Sequence, residues 1–352
     1  MAYTLIDDPS AHFQAFTYTG TGSANSITLN GNSNLQPDLY WYKSRPNTNY
    51  HYLVDSSRGT TKYIYPNDNL AEGTVASAYV TSFDTNGVTL GGGDSGTNTN
   101  GNSFANWVWK ANGGTTSSNT DGSKTATVQA NTDAGFSIVT YAGSGTAATV
   151  GHGLADTPDV IIFKNRSAAN VWATYHQGLG NNYKLELNSA NAQDSDGSFM
   201  NGTLPTSSVF TVGASVNTNG SGSNYVAYCF AEKQGYSKFG SYVGNGNDNG
   251  PFVYTGFKPA WIMVKNIDSG VDHWHIIDNK RNPNNVAGKL LFADLANAEI
   301  TYTTETLFDI LSNGFKLRGD YDHINKSGEN IIYMAFAENP FVTSTGIPTT
   351  AR

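Results

Sequence analysis

The sequence contains one cysteine, Cys229, and this scarcity excludes an internal disulfide framework. The cysteine lies in the apolar run 225–230, where a small buried thiol is expected. Charged residues make up only 14% of the chain, compared with about 25% in typical soluble domains. The net charge of −8 argues against a nucleic-acid partner, because contacts with phosphates need a basic face. A carbohydrate or a protein partner is compatible with this charge.

Long apolar runs and a signal sequence are absent as well. No run approaches the roughly 18 apolar residues of a membrane span, so we expect no membrane insertion. The first residues, 1–8, lack the basic and apolar regions of a signal peptide. These features predict a soluble protein that is made in a cytoplasm.

The sequence is rich in small polar residues and in tyrosine, with 38 glycines and 20 tyrosines. Polar uncharged loops that join aromatic strands are typical of β-sandwiches and β-barrels, because tight turns use Gly and Asn at positive φ. The composition therefore favours an all-β protein.

One seven-residue segment occurs three times, at 37–43, 158–164 and 259–265. Each copy begins with proline, continues with apolar and aromatic residues, and ends with lysine, which is typical of a buried strand with proline at its entry. Similar neighbours follow every copy, so the sequence predicts a repeat of about 100 residues. The repeat markers are Pro37, Lys43, Pro158, Lys164, Pro259 and Lys265.

Further strands are predicted around each central segment by alternating large residues and Gly-rich turns. Residues 289–296 alone fit a helix, but their alternating counterpart at 185–187 favours a strand. Trp172 and Trp274 lie in the middle of the strand after the central one, where we expect them to be buried. The predicted fold is three tandem antiparallel β-sandwich-like (jelly-roll-like) repeats. The predicted strands are 13–22, 136–145 and 239–246 (opening), 52–55, 171–176 and 273–278 (second), 62–65, 184–187 and 289–292 (third), 88–91, 209–213 and 315–319 (fourth), and 104–109, 225–232 and 331–338 (closing).

The chain is divided by these repeats and by changes in composition. Residues 113–134 are rich in Gly, Ser, Thr and Asn and are expected to form a linker. Residues 1–11 and 341–352 are expected to be a leader, as an arm or a surface strand, and an extended tail. The predicted parts are a leader at 1–11, repeats at 12–112, 135–235 and 236–340, a linker at 113–134 and a tail at 341–352.

Several segments of the second and third repeats resemble a family of repeat-bearing proteins from tailed phages of marine bacteria and cyanobacteria. The resemblance is carried by Y-V-A-Y-C-F-A at 225–231, Y-S-K-F-G-S-Y at 236–242, I-L-S-N-G-F-K-L at 310–317 and Y-M-A-F-A-E at 333–338. It covers most of 12–340 and extends to the leader. These proteins are usually counted among virion structural or fibre-like proteins, and the resemblance implies a virion location. It implies no catalytic residue.

Two histidines in the third repeat are the first candidates for a metal site. His273 and His275 share one face of the predicted strand, with Asp272 or Asp278 nearby. The spacing places no third ligand, so ordinary polar strand residues are the favoured interpretation and no metal site is predicted.

Loops rich in Asp, Asn and Gly at 94–98, 194–197 and 245–250 offer oxygen ligands for calcium. None has the ordered ligand series of an EF-hand loop. Turn formation explains these residues without an ion, and we predict no cofactor.

A glycosidase or depolymerase needs two carboxylates that face each other across a cleft. Glu232 and Glu338 occupy the same position in two repeats, which indicates a repeated structural cap and not an acid–base pair. No nucleophile elbow, zinc motif or phosphate loop occurs. We therefore predict no enzyme activity and no catalytic residue. The other glutamates considered are Glu186, Glu299 and Glu305.

Exposed aromatic rings are the remaining candidates for ligand binding. Tyr40, Tyr42, Trp107 and Trp109, together with Trp41, offer a platform for stacking on sugars. Strand alternation places about half of such residues in the core, and the sequence alone does not decide which half.

Together these observations predict a non-enzymatic phage virion protein, with a tail fibre or appendage that contacts the host surface as the leading role. The alternatives are a decoration protein of the capsid or tail and, more distantly, a polysaccharide depolymerase. The expected partners are other virion proteins and a host surface glycan or protein. We expect a homotrimer anchored through residues 1–11, although one chain with three repeats can also imitate a threefold arrangement as a single copy.

Overall fold

A computed structural model describes residues 3–76, 79–92, 96–302 and 307–348. The described chain is built from antiparallel sheets, which confirms the all-β prediction. It contains one α-helix, α1 (Asp322–Asn325), and a 3₁₀ turn at Pro9–Ala11. In these ranges no helix has the length and apolar character needed to cross a membrane.

The first unit, 13–109, has a large sheet in the order β1-β9-β3-β4 and a smaller sheet in the order β2-β8-β7. Strands β5 and β6 form a separate pair. The strands are β1 (Phe13–Thr19), β2 (Asn25–Thr28), β3 (Leu39–Ser44), β4 (Tyr52–Asp55), β5 (Lys62–Tyr63), β6 (Gly73–Thr74), β7 (Val80–Asp84), β8 (Gly87–Leu90) and β9 (Ser103–Trp109).

The second unit, 117–230, has a large sheet in the order β10-β11-β12-β19-β14-β15-β16-β17 and a small sheet of β13 and β18. The strands are β10 (Ser117–Asn119), β11 (Ala126–Asn131), β12 (Phe136–Ala142), β13 (Ala148–Gly151), β14 (Val160–Asn165), β15 (Ala173–His176), β16 (Tyr183–Glu186), β17 (Asp194–Ser195), β18 (Val209–Val212) and β19 (Asn224–Phe230).

The third unit, 237–340, has a large sheet in the order β20-β28-β22-β23-β24-β25 and a small sheet in the order β21-β27-β26. The strands are β20 (Ser237–Val243), β21 (Phe252–Tyr254), β22 (Phe257–Asn266), β23 (His275–Asp278), β24 (Lys289–Phe292), β25 (Ile300–Thr301), β26 (Phe308–Leu311), β27 (Gly314–Leu317) and β28 (Asn330–Pro340). The strand predicted at 289–292 is confirmed.

The central strand of each large sheet, β3, β14 or β22, is buried on both of its faces. One face joins an inner core that all three units share, and the other faces the small sheet of its own unit. A strand with two buried faces reads as a continuous apolar run, which explains the three repeated segments. The inner core includes Trp41, Trp107, Trp109, Ile162, Tyr228, Phe230, Trp261, Met263, Met334 and Phe336.

Proline and lysine bound these strands in slightly different ways. Pro37 and Pro158 lie before β3 and β14, as predicted, and each repeated lysine is the second-last residue of its strand. Pro259, however, lies inside β22, because this strand begins earlier than its counterparts. The pairing of β22 with β28 shifts register on both sides of Pro259, and such a bulge tolerates a residue that lacks an N–H.

Residues 113–134 are not a linker, which corrects the prediction from composition. Strands β10 and β11 lie within this range, and β11 pairs with β12 along the edge of the second unit. Each unit also has an outer core, which lies between its large and small sheets, and Ala126 and Val128 are buried in that of the second unit. Small alternating side chains carry a weaker apolar signal than the aromatic strands do, and the polar residues between them concealed it.

The described part of the leader, residues 3–11, packs on the rest of the chain and contains no strand. Ile6 is 5% exposed and belongs to the inner core, whereas its neighbour Leu5 is 94% exposed. The hydroxyl of Tyr3 donates to the carbonyl of Gly256 at 2.7 Å. In the tail, Ser344 contacts the carboxylate of Asp7, and the N–H of Phe341 donates to the carbonyl of Gly256 at 3.2 Å. Both segments therefore contact the third unit through Gly256.

Candidate functional site

The four aromatic candidates for ligand binding are buried, so the expectation that they are exposed is wrong. Tyr40 and Tyr42 are each 0% exposed and stack in the outer core of the first unit, with ring centroids 4.7 Å apart. Trp107 and Trp109 lie in the inner core. Because the large sheet is covered on both sides, strand alternation turns neither of its faces to solvent.

Trp107 instead joins the first unit to the third. Its indole Nε1 donates to the carboxylate of Asp278 at 3.0 Å. That carboxylate also accepts from Arg281 at 2.6 Å, and the guanidinium carbon of Arg281 lies 5.8 Å from the centroid of the Trp107 ring. This buried ion pair is therefore satisfied by a partner from another unit.

The other two interfaces also have buried polar contacts, made by the last residue of a strand, Asp55 of β4 and His176 of β15. Between the first and second units, Tyr228 donates to the carboxylate of Asp55 at 2.7 Å, and Arg58 pairs with that carboxylate at 2.5 Å. Between the second and third units, Nε2 of His176 lies 3.2 Å from the carbonyl of Tyr333. Burial lowers the pKa of His176 to about 4, so the neutral imidazole occupies this position at neutral pH.

Two buried tryptophans, Trp172 and Trp274, also reach into another unit. Trp172 donates from Nε1 to the carbonyl of Tyr65 in the first unit at 2.8 Å. Trp274 donates from Nε1 to the carbonyl of Glu186 in the second unit at 3.0 Å. Both tryptophans are buried, as expected, but they precede β15 and β23 and do not lie within them. Their main-chain N–H groups donate to the side-chain oxygens of Asn188 and Asp294, and not to a carbonyl of a neighbouring strand.

Three main-chain hydrogen bonds between units complete the same cycle. The N–H of Glu72 donates to the carbonyl of Arg166, linking the first unit to the second at 3.0 Å. The N–H of Gln193 donates to the carbonyl of Ile267 at 3.0 Å, linking the second unit to the third. The N–H of Glu299 donates to the carbonyl of Arg45 at 2.7 Å, linking the third unit to the first. The units therefore form a closed ring.

The three repeated lysines are fully buried beside these contacts. Lys43, Lys164 and Lys265 each donate to the carbonyl of the next residue, at 2.6, 2.8 and 2.7 Å. Burial lowers their pKa values to about 7, 8 and 8. Their hydrogen bonds go to carbonyl oxygens, so these side chains close loop ends and present no amine to solvent.

The two histidines of the third unit do not converge on one site. His275 is 0% exposed and lies in β23, and burial lowers its pKa to about 3. His273 lies before the strand and pairs with Asp294 at 2.6 Å, which raises its pKa. Asp272 contacts His323 and Asp278 pairs with Arg281. Within the described ranges, no three His, Cys, Asp or Glu side chains are grouped to hold a metal ion.

The other polar candidates described below have partners in the protein, whereas Glu305 lies outside the described residues. Glu232 pairs with Lys238 at 2.6 Å, and Glu338 contacts Lys258. Asp194, in the second of the three polar loops, pairs with Lys184 at 2.8 Å. The loop at 245–250 is closed by hydrogen bonds among its own asparagines. Part of the loop at 94–98 lies outside the described residues.

A polar groove lies between the third and first units and has a volume of about 310 Å³. Its lining includes Ala15 and the loop 30–32 of the first unit, and Ala260, Asn279 and Glu338 of the third. A second groove of about 340 Å³ adjoins it, and Asn279 lines both. Residues 282–285 and Lys258 form most of the second lining.

Two small residues keep the first groove open. Ala15 pairs with Trp107 across the sheet, at the position that Ile138 and Phe239 hold in the other units. Ala260 follows its proline where Asp38 and Asp159 follow theirs. The open groove thus results from two side chains that are shorter than their counterparts.

Asn279 is the least satisfied polar side chain of the groove. It is 4% exposed, and neither its Oδ1 nor its Nδ2 bonds to any group in the described part of the chain. Its counterparts are satisfied: Ser56 donates to Asp38 at 2.7 Å, and Gln177 donates to the carbonyl of Phe239 at 2.5 Å. The sequence analysis missed this position, although aligning the residue after each second strand would have set Asn279 beside Ser56 and Gln177.

Comparison with known proteins gives one match. A family model with the description "Domain of unknown function (DUF7483)" matches residues 8–340. No curated protein and no solved structure matches.

Proposed function

We propose that this chain, which belongs to the DUF7483 family, is a non-enzymatic structural protein of a phage virion. In this proposal one copy sits on the threefold axis of a trimeric appendage and contacts the host surface. The observation that carries the proposal is the closed ring, in which each unit contacts both others around one inner core. A ring of this kind offers three similar surfaces to three subunits of a symmetric partner.

We further propose that the units are three tandem repeats related by a pseudo-threefold axis. Equivalent cross-strand pairs support this proposal: Trp41 with Trp107, Ile162 with Tyr228, and Met263 with Met334. The cyclic main-chain bonds between units support it independently, because the same sheet positions are used at all three interfaces.

A single copy replaces the homotrimer that the sequence suggests. The inner core already buries large aromatic side chains from all three units within one chain. A second or third copy is not needed to bury this surface, and the symmetry match with a trimeric partner comes from the chain itself.

An appendage is favoured over a decoration protein by the position of the described leader and tail. A decoration protein is expected to clasp its neighbours with ordered terminal segments. Here Tyr3 and Asp7 bind residues of the same chain, Gly256 and Ser344. The glutamate pairs with Lys238 and Lys258 favour a structural role over acid–base catalysis.

Quantitative mass spectrometry of purified virions tests the proposal. We expect one copy of this chain for every three copies of the appendage subunit to which it cross-links. Absence from virions, or a ratio of one to one with that subunit, would contradict the proposal. Antibody labelling in electron micrographs separates an appendage from a capsid location.

A further inference from the structure

We propose that the groove between the third and first units, with its continuation past Asn279, binds a short neutral saccharide. This inference rests on the proposed contact with a host surface and names the ligand class for it. The two adjoining grooves form one polar trench with Asn279 between them.

The unpartnered amide of Asn279 is the first argument. A buried amide without hydrogen bonds destabilises the fold, and the counterparts of Asn279 at the other two interfaces have hydrogen-bond partners. A ligand that supplies both an acceptor and a donor satisfies Nδ2 and Oδ1 together. Adjacent hydroxyl groups of a sugar ring have this property, since each hydroxyl both donates and accepts.

The composition of the lining is the second argument. Amide side chains recur along the trench, and its charged side chains are Lys280, Glu338 and Lys258, the last two in contact with each other. Such a lining favours an uncharged ligand with many hydrogen-bonding groups. The amide side chains are those of Gln14, Asn30, Asn32, Asn279, Asn282, Asn284, Asn285 and Asn339.

The shape of the groove favours a saccharide over a peptide. Ala15, Ala260 and Ala337 border the groove, and their small side chains leave room for a sugar ring. They form no deep apolar pocket for the large side chains by which peptides are anchored. The volume of about 310 Å³ lies at the small end of ligand sites.

Saturation-transfer NMR with the full chain tests the inference. The probes are maltotriose and triacetylchitotriose as neutral ligands, and trigalacturonic acid as a charged control. We expect saturation transfer to at least one neutral trisaccharide and none to the charged one. Binding of neither neutral probe, or preferential binding of the acid, overturns the inference.

Two groove variants locate the binding. Ala15→Phe introduces the residue found at the equivalent position of the third unit and should abolish binding by filling the groove. Asn279→Leu should weaken binding at least about tenfold and raise the denaturation midpoint, because it removes a buried unpartnered amide. Asn32→Ala, on the exposed loop, provides the binding test if Ala15→Phe does not fold. Retained binding in the variants that fold contradicts this location.

The matched control is Gln177→Leu, at the equivalent position of the second-to-third interface. It removes the bond to Phe239, so it should lower stability and leave saccharide binding unchanged. Loss of binding in this control would assign the effect to the ring as a whole and overturn the groove assignment. If no saccharide binds but the chain occurs in virions at the expected ratio, this inference fails while the proposed function stands.

Discussion

At the scale of single residues, side chains that cross between units hold the ring together. Trp172 and Trp274 are 0% and 1% exposed, and each donates to a carbonyl of another unit. An indole placed in this way contributes both buried apolar surface and a hydrogen bond that no aliphatic side chain can make. Changes at these positions therefore affect two units at once.

We predict that Trp172→Ala lowers the free energy of unfolding by about 3 to 5 kcal/mol, as loss of a buried aromatic side chain does. Trp172→Phe keeps most of the buried aromatic surface but loses the hydrogen bonds to the carbonyls of Tyr65 and Asp68. We therefore expect a smaller loss of unfolding free energy than for the alanine variant. Urea denaturation of the full chain measures both. A loss below about 1 kcal/mol for the alanine variant would show that this contact does not stabilise the ring.

The buried lysines make stability depend on pH. Burial lowers the pKa values of Lys43, Lys164 and Lys265 to about 7, 8 and 8 in the folded protein. In the unfolded chain, the pKa of lysine is about 10.4. Between these values the unfolded chain binds more protons, so the free energy of unfolding rises with pH. The expected rise extends from about pH 7 to about pH 9. Above this range, burial raises the pKa values of several tyrosines, such as Tyr40, Tyr141 and Tyr228, and their ionisation in the unfolded chain opposes the rise.

Denaturant unfolding at closely spaced pH values measures this rise. Each lysine that is neutral when folded adds up to about 1 kcal/mol per pH unit. Lys164→Met should reduce the slope, whatever its effect on absolute stability. A stability that is constant or falls over this window would contradict the expected burial of neutral amines.

At the scale of elements, the sequence predicts the central strands well because their burial on two faces leaves a continuous apolar run. It fails for β11, whose buried residues Ala126 and Val128 are small and alternate with polar ones. The sequence also predicts wrongly that Tyr40 and Trp107 are exposed, whereas both are buried. Alternation identifies two faces of a strand, but it does not reveal that a second layer covers the outer face.

Strand β11 provides a test of this correction. Val128 is 3% exposed and packs in the outer core of the second unit, so Val128→Ala should cost about 2 kcal/mol of stability. The adjacent Thr127 is exposed, and Thr127→Ala serves as the matched control with little expected effect. Equal and small effects in thermal melts would support the linker that composition suggests.

At the scale of the whole molecule, the recurring segments indicate three units, but the sequence pattern does not predict how these units are arranged. The contacts that close the ring join residues far apart in the chain, such as Trp107 with Asp278 and Arg45 with Glu299. No spacing rule links such positions. The sequence did not predict the groove at Asn279 either. This groove results from Ala15 and Ala260, at positions that larger side chains occupy in the other units.

The mass of the purified chain in solution tests the central claim, that one chain closes the threefold ring by itself. Multi-angle light scattering should give the mass of a single chain, 37.6 kDa, over a wide range of concentration. A stable particle of three times that mass would contradict the account, because it would show that the threefold arrangement is made by three copies.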